Sequence, residues 1–208
     1  MKLYSTVLGF GSAEQTIEKS KFICYVNPAF SKEEADSFIQ EVRKKHRDAT
    51  HNVPAMVIGD KMQIQWASDD GEPQGTSGAP IVQMLVNMEI TNVVVVVTRY
   101  FGGIKLGPGG LVRAYTTSAQ LGLEKAGIGD VEEYSVIEYE IDYTHLAKIQ
   151  NNSGKLFYVD NVEYADKVSM EISFLPENND EVEAILKDLT SGSGKCKKTF
   201  KKLLTKPK

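Results

Sequence analysis

Hydrophobic and polar positions along this 208-residue chain repeat with two different periods, and each change of period marks an element. Several short β-like runs occupy residues 1–30, the clearest being Lys21 to Val26, which Asn27-Pro28 stops. Ser31 and Glu34 then form a capping box. Ala35, Phe38, Ile39 and Val42 follow at i, i+3, i+4 and i+7, which predicts an amphipathic helix. Val53 to Ile58 and Met62 to Trp66 read as two strands around the turn Gly59-Asp60-Lys61. After a polar loop, SDDGEPQGTSG, a short apolar helix is predicted over about 78–88, with Pro80 tolerated in its first turn. Asn92 to Thr98 carries valine on both faces, so it predicts a central strand buried on both sides. A second glycine-rich loop leads to a helix from about Gly110 to Ala126. Its polar stripe is Arg113, Thr117, Gln120 and Glu124, and Ala114, Ser118, Ala119 and Gly122 are small enough for close packing.

The same grammar returns on a smaller scale. A strand over 134–142, a helix over 144–153, strands over 156–163 and 167–175, a helix over 179–190 and a basic strand near 195–204 give the order βαββαβ of a ferredoxin-like split βαβ unit. The expected fold class is therefore α+β in two domains, residues 1–130 and 131–208.

Composition changes this picture little. With 41% hydrophobic and 25% charged residues the chain is globular, and its longest apolar run is far short of a membrane span. The opening MKLYSTVLGFGSAE has no long apolar core and does not read as a secretory signal. Two distant cysteines, Cys24 and Cys196, suggest neither a disulfide framework nor a thiolate metal site, so a cytoplasmic protein with reduced thiols is expected. The net charge of −4 is uneven. Seven lysines and no acid lie in 191–208, which leaves 17 cations and all 28 acids, a net −11, in the first 190 residues. That basic tail reads either as a phosphate contact or as lysines guarding an exposed edge strand.

Candidate chemistry crowds around the valine run. Gly102, Gly103, Gly107, Gly109 and Gly110, with Lys105 among them, follow a strand and open a helix, where backbone amides and the helix dipole can hold an anion. The segment lacks both the Gly-Lys-Ser/Thr ending of a P-loop and the dinucleotide spacing; its glycines read equally as a sharp turn. Arg99 and Phe101 should point to one side of the strand and Tyr100 to the other. A buried Arg99 requires an acid or a ligand, and Asp69, Asp70 and Glu72 are its natural partners. Asp-Asp-Gly-Glu-Pro reads as a tight turn rather than a metal site, and no cofactor is indicated. His51 lines the same face or hydrogen-bonds locally. Ser77, in Gly75-Thr76-Ser77-Gly78-Ala79, lacks the full nucleophile-elbow pattern, and no catalytic residue is assigned.

The central stretch GAPIVQMLVNMEITNVVVVVTRYFGGIKLG, with KSKFICYV before it and LGPGGLVRAYTTSA after it, resembles the signature of the IMPACT family. The resemblance extends over nearly the whole chain. It implies a first domain similar to the βαβ-containing domain IV of elongation factor G and a second similar to that factor's domain V. It marks Asp69, Asp70, Gly71, Glu72, Gly75, Arg99, Gly102, Gly103 and Gly107, and less firmly Lys105 and Arg113, as motif residues. Ala79 departs from the basic residue, and Ser77 from the alanine, found in many bacterial relatives. Eukaryotic relatives are translation regulators that carry a different N-terminal domain for partner binding, which this chain is expected to lack. The function expected is non-enzymatic binding of RNA or a ribosomal component, with Arg99, Lys105 and Arg113 contacting phosphate. Two alternatives stand beside it: a phosphate-bearing small ligand at the glycine loop, and a protein partner anchored by Tyr100 and Phe101.

Overall fold

The structure, a computed structural model, describes residues 2–207 and contains two compact units. The first is built on Leu3–Val131, joined by the end of the chain from Thr205, and the second on Glu132–Leu204. Among the described residues no helix is long and apolar enough to cross a membrane.

The first unit runs β1 (Lys2–Val7), β2 (Gly11–Ile17), β3 (Ser20–Pro28), α1 (Lys32–Lys45), β4 (His51–Ile58), β5 (Ile64–Ala67), α2 (Gly78–Asn87), β6 (Val93–Tyr100) and α3 (Gly107–Ala126). Its sheet has the order β2-β3-β6-β4-β5 with every neighbouring pair antiparallel, so the valine strand β6 is central as its pattern demands. The crossover β3-α1-β4 places two strands on either side of β6. Val94 and Val96 face α1 with Ile39, Val42 and Met56. Val93, Val95 and Val97 face α2 and α3, against Ile81, Leu85, Leu111, Tyr115 and Leu123. Continuous valine is thus the signature of a sheet covered by helices on both sides.

The α1 cap forms with one change. Ser31 accepts from the Glu34 amide at 3.2 Å, while the Glu34 carboxylate reaches past the cap to the Phe30 amide at 2.8 Å. In α3, Arg113, Thr117, Gln120 and Glu124 are exposed, and Ala114, Ser118, Ala119 and Gly122 are buried as expected. A Cβ on Gly122 would run into Cys24, so this glycine sets how closely α3 lies on the sheet. Beneath it, burial pushes the Cys24 thiol far above its ordinary range and leaves it unreactive.

One boundary differs with consequence. The helix expected from Gly110 begins a turn earlier, so Gly107, Pro108, Gly109 and Gly110 are its first turn, not a loop. Proline at the first turn of a helix costs no hydrogen bond, and Gly107 enters with φ of 70°, open to glycine. The part of the segment outside helix and strand shrinks to Phe101–Leu106.

The second unit follows β7 (Ile128–Ile141), which begins within the first, with α4 (Tyr143–Asn152), β8 (Phe157–Tyr164), β9 (Val168–Phe174), α5 (Asn179–Leu189) and β10 (Lys195–Pro207). β7 pairs with β1, β9 and β10, and β9 pairs with β8, so the four strands of the βαββαβ unit take the ferredoxin-like order β10-β7-β9-β8. Ile137, Ile141, Ile149, Phe157, Ile172, Val182 and Leu186 form its core. On β10, Lys197 reaches Glu140 at 3.0 Å and Lys201 reaches Glu133 at 2.7 Å. These two lysines of the basic tail pair with acids of the neighbouring strand.

Candidate functional site

The acidic loop Ser68–Glu72 divides its three carboxylates among three tasks. Asp69 turns to the start of α2 and accepts from the amides of Gly75, Ser77 and Gly78 at 2.8, 3.1 and 3.0 Å, and from the Ser77 hydroxyl at 2.6 Å. It caps a helix whose own N-cap residue, Ser77, makes no side-chain cap. Burial raises the Asp69 carboxyl, but these hydrogen bonds from Ser77, Gly75 and Gly78 outweigh it and hold it below its usual value. The same bond occupies the Ser77 hydroxyl. Asp70, held at φ of 48°, accepts from the Asn52 amide at 2.6 Å and from Arg43 at 3.1 Å, while its carbonyl accepts from His51 Nδ1 at 2.7 Å.

Glu72 alone reaches the end of β6. Its Oε1 accepts from Arg99 Nη1 at 2.7 Å and from the Tyr115 hydroxyl at 2.7 Å, with His51 Nε2 at 3.7 Å. All three charged or polar partners are fixed from below. Arg99 is only 4% exposed, gives a second bond to Ser20 Oγ at 3.2 Å, and lies between the rings of Phe22 and Phe101, 5.4 Å from each centroid. Burial, reinforced by the Glu72 carboxylate, pushes the Tyr115 hydroxyl far above its ordinary range, so it remains a donor. Among the described residues the buried Arg99 Nε has no acceptor.

Above this pair opens a cleft of about 390 Å³ lined by His51, Glu72, Arg99, Phe101, Lys105 and the start of α3 at Gly107 and Pro108. A second cleft of about 480 Å³ is lined by Lys105, Gly110, Arg113 and Thr117, with Glu18 the acid at its wall. Lys105 and Leu106 belong to both, so the two clefts adjoin. There is no acid in the first turn of α3. Among the described residues no three His, Cys, Asp or Glu side chains converge to hold a metal ion.

Several residues singled out from sequence fall elsewhere. Tyr100 points to the opposite face, where its hydroxyl meets His46 Nδ1 at 2.8 Å and donates to Asp48 at 3.4 Å. Gly102 lines neither cleft: its amide donates to Ser20 Oγ at 3.1 Å, and a Cβ there would strike the Lys19 carbonyl. Gly103, with φ of 88°, serves the turn. Gly109 faces open space and lines neither cleft. Asp69 and Asp70 do not touch Arg99. Sequence reading also misses Tyr115, Ser20 and His46. The first had a signal, since a buried tyrosine needs a partner for its hydroxyl. His46 bridges Tyr25 and Tyr100 at 2.8 Å on each ring nitrogen, and burial, aided by Lys45, pulls it below the usual histidine value.

Comparison with known proteins bears on the same region. The Impact N-terminal domain model matches residues 18–123, and the Domain of unknown function (DUF1949) model matches residues 140–193. The chain is 40% identical over 195 residues to IMPACT family member YvyE of Bacillus subtilis (strain 168), covering 93% of this chain and 90% of that protein. It is 32% identical over 185 residues to IMPACT family member YigZ of Escherichia coli (strain K12), covering 86% and 89%. With the human protein IMPACT it shares 30% identity over 125 residues, 58% of this chain but 38% of that protein. A solved structure described as a hypothetical protein superposes with a TM-score of 0.60 at 30% identity, covering 94% of this chain and 97% of that one.

Proposed function

The chain belongs to the IMPACT family, and from that premise we propose that it is a non-enzymatic binding protein acting in translation or its regulation, through local contact with RNA. The observation that carries this reading is the position of Lys105 at the junction of two clefts. On one side stands Arg113; on the other, Phe101 is 47% exposed. Single-stranded RNA is held by cations that track its phosphates and by aromatic rings on which its bases stack, and this surface supplies both. The acid-free first turn of α3 adds a favourable dipole to the same place. Arg99 contributes differently from Lys105 and Arg113: its charge is matched by Glu72, and it stiffens Phe101 from beneath.

Attraction of this kind is local. The chain has a net charge of −4, which provides no general pull on nucleic acid. Co-sedimentation of the protein with RNA and with ribosomes, at low and moderate salt, tests the proposal. Wild type is expected in the pellet at low salt, and Lys105→Ala/Arg113→Ala in the supernatant. Absence of wild type from both pellets at every salt concentration refutes the reading.

A further inference from the structure

We infer that the cleft above the Glu72–Arg99 pair takes a single unpaired guanine nucleotide of the bound RNA. The inference rests on the RNA reading above and adds which base is selected and where. Its size is the first observation. About 390 Å³ lies in the range of small-ligand pockets and suits one extruded nucleotide, whereas a duplex cannot enter.

The walls then select the ligand. His51 gives its Nδ1 proton to the Asp70 carbonyl at 2.7 Å, so in the neutral ring Nε2 is an acceptor. That nitrogen stands 3.7 Å from Glu72 Oε1, beyond hydrogen-bond distance. Arg99, Tyr115 and His51 all approach Oε1, so the second carboxylate oxygen takes neither the Arg99 nor the Tyr115 bond, and Glu72 lines the cleft. The Glu72 carboxylate and, in the neutral ring, His51 Nε2 therefore place acceptors on the wall of one cleft, and such a wall calls for a ligand edge rich in donors. Guanine has that edge: its ring N1–H and exocyclic amine are neighbouring donors, one for the remaining Glu72 oxygen and one for His51 Nε2. Adenine and cytosine offer an amine beside a ring acceptor, which would meet the carboxylate with a lone pair. Uracil has a single N–H between two carbonyls.

The remaining contacts agree with this orientation. Phe101 gives a stacking surface already held by the guanidinium beneath it. Arg99, Lys105 and Glu72 together leave one positive charge around the cleft, which matches one phosphodiester. The Arg99 Nε–H lacks an acceptor among the described residues, and a buried donor without one is unfavourable until a ligand oxygen or nitrogen reaches it.

The test is titration calorimetry of the full chain with GMP, AMP, CMP and UMP, followed by an oligouridylate with one central guanosine and an all-uridine control. GMP is expected to bind at least about ten-fold more tightly than the other three, as a bidentate base contact allows. The guanosine-bearing oligomer should exceed its control by a similar factor. Phe101→Ala should weaken GMP roughly ten-fold, and His51→Ala should reduce the guanine preference while RNA still sediments. Equal binding of all four mononucleotides, or binding of none while RNA sediments and is lost in Lys105→Ala/Arg113→Ala, overturns the pocket and leaves the proposed function intact. GMP binding with no RNA in the pellet overturns both, since the ligand is then a free nucleotide.

Discussion

Three carboxylates within four residues have three separate structural consequences, and only their partners distinguish them. Glu72 meets Arg99 with both side chains about 5% exposed or less. Removing one member of such a pair leaves the other charge buried and uncompensated, which costs about 3–5 kcal/mol. Arg99→Ala and Glu72→Ala should therefore be strongly non-additive in urea unfolding, with a coupling above about 1 kcal/mol, while Arg99→Ala and Asp69→Ala should add within about 0.5 kcal/mol. Additivity of the first pair would show that the buried ion pair is absent. Asp69 is distinguished in a second way. Its carboxyl is held below its usual value, so its contribution is complete above the unfolded value near pH 4 and disappears as pH falls through the lower folded value. Loss of the α2 cap in Asp69→Ala should cost about 1 kcal/mol at neutral pH, and the difference from wild type should shrink as the solution is acidified. A constant difference down to pH 2 would exclude that role.

Elements follow from pattern wherever the pattern reports a face. Five valines in succession predict a strand without an exposed side, and β6 has none from Val93 to Val97. The stripe on α3 likewise separates its exposed and buried faces. The residues 11–17, GSAEQTI, form β2 with Gly11, Ala13, Gln15 and Ile17 on its more buried face, and their hairpin with β3 turns on Glu18-Lys19 at φ of 46° and 63°. Such a turn normally announces itself by Asn-Gly, and this one does not. The early start of α3 was hidden for a similar reason, since glycine and proline signal a loop until the helix they open is seen. The close approach of α3 to the sheet gives a prediction at this scale. Gly122→Ala places a methyl against Cys24 and Val26, and should lower stability by about 1–3 kcal/mol despite the better helix propensity of alanine. A higher melting temperature in the variant would mean that α3 can move away freely.

For the whole molecule the decisive quantity is where charge lies, not how much there is. Two of the tail lysines, Lys197 and Lys201, pair with Glu140 and Glu133, and the cations at the candidate surface are Lys105 and Arg113. A site with two such phosphate contacts predicts a shallow salt dependence in the co-sedimentation experiment, with a logarithmic slope of about −1.4 for a single strand. A much steeper slope would shift the contact to the lysine-rich tail. The division into two α+β units and the βαββαβ order of the second were legible because periodicity and turn residues are local properties.

The sequence by itself determined which segments are helix and strand over most of the chain, which strand is central, and that Arg99 must be matched by an acid or a ligand. Those conclusions need only the period of the side chains and the cost of a buried charge. Tertiary structure alone decided that the acid is Glu72 and not Asp69 or Asp70, and that Tyr115 and Ser20 complete the cluster. Partner choice depends on which backbone atoms the loop must satisfy first. Asp69 is drawn to the open amides of α2 and Asp70 to the Asn52 amide and Arg43, and Glu72 is the carboxylate left to reach Arg99.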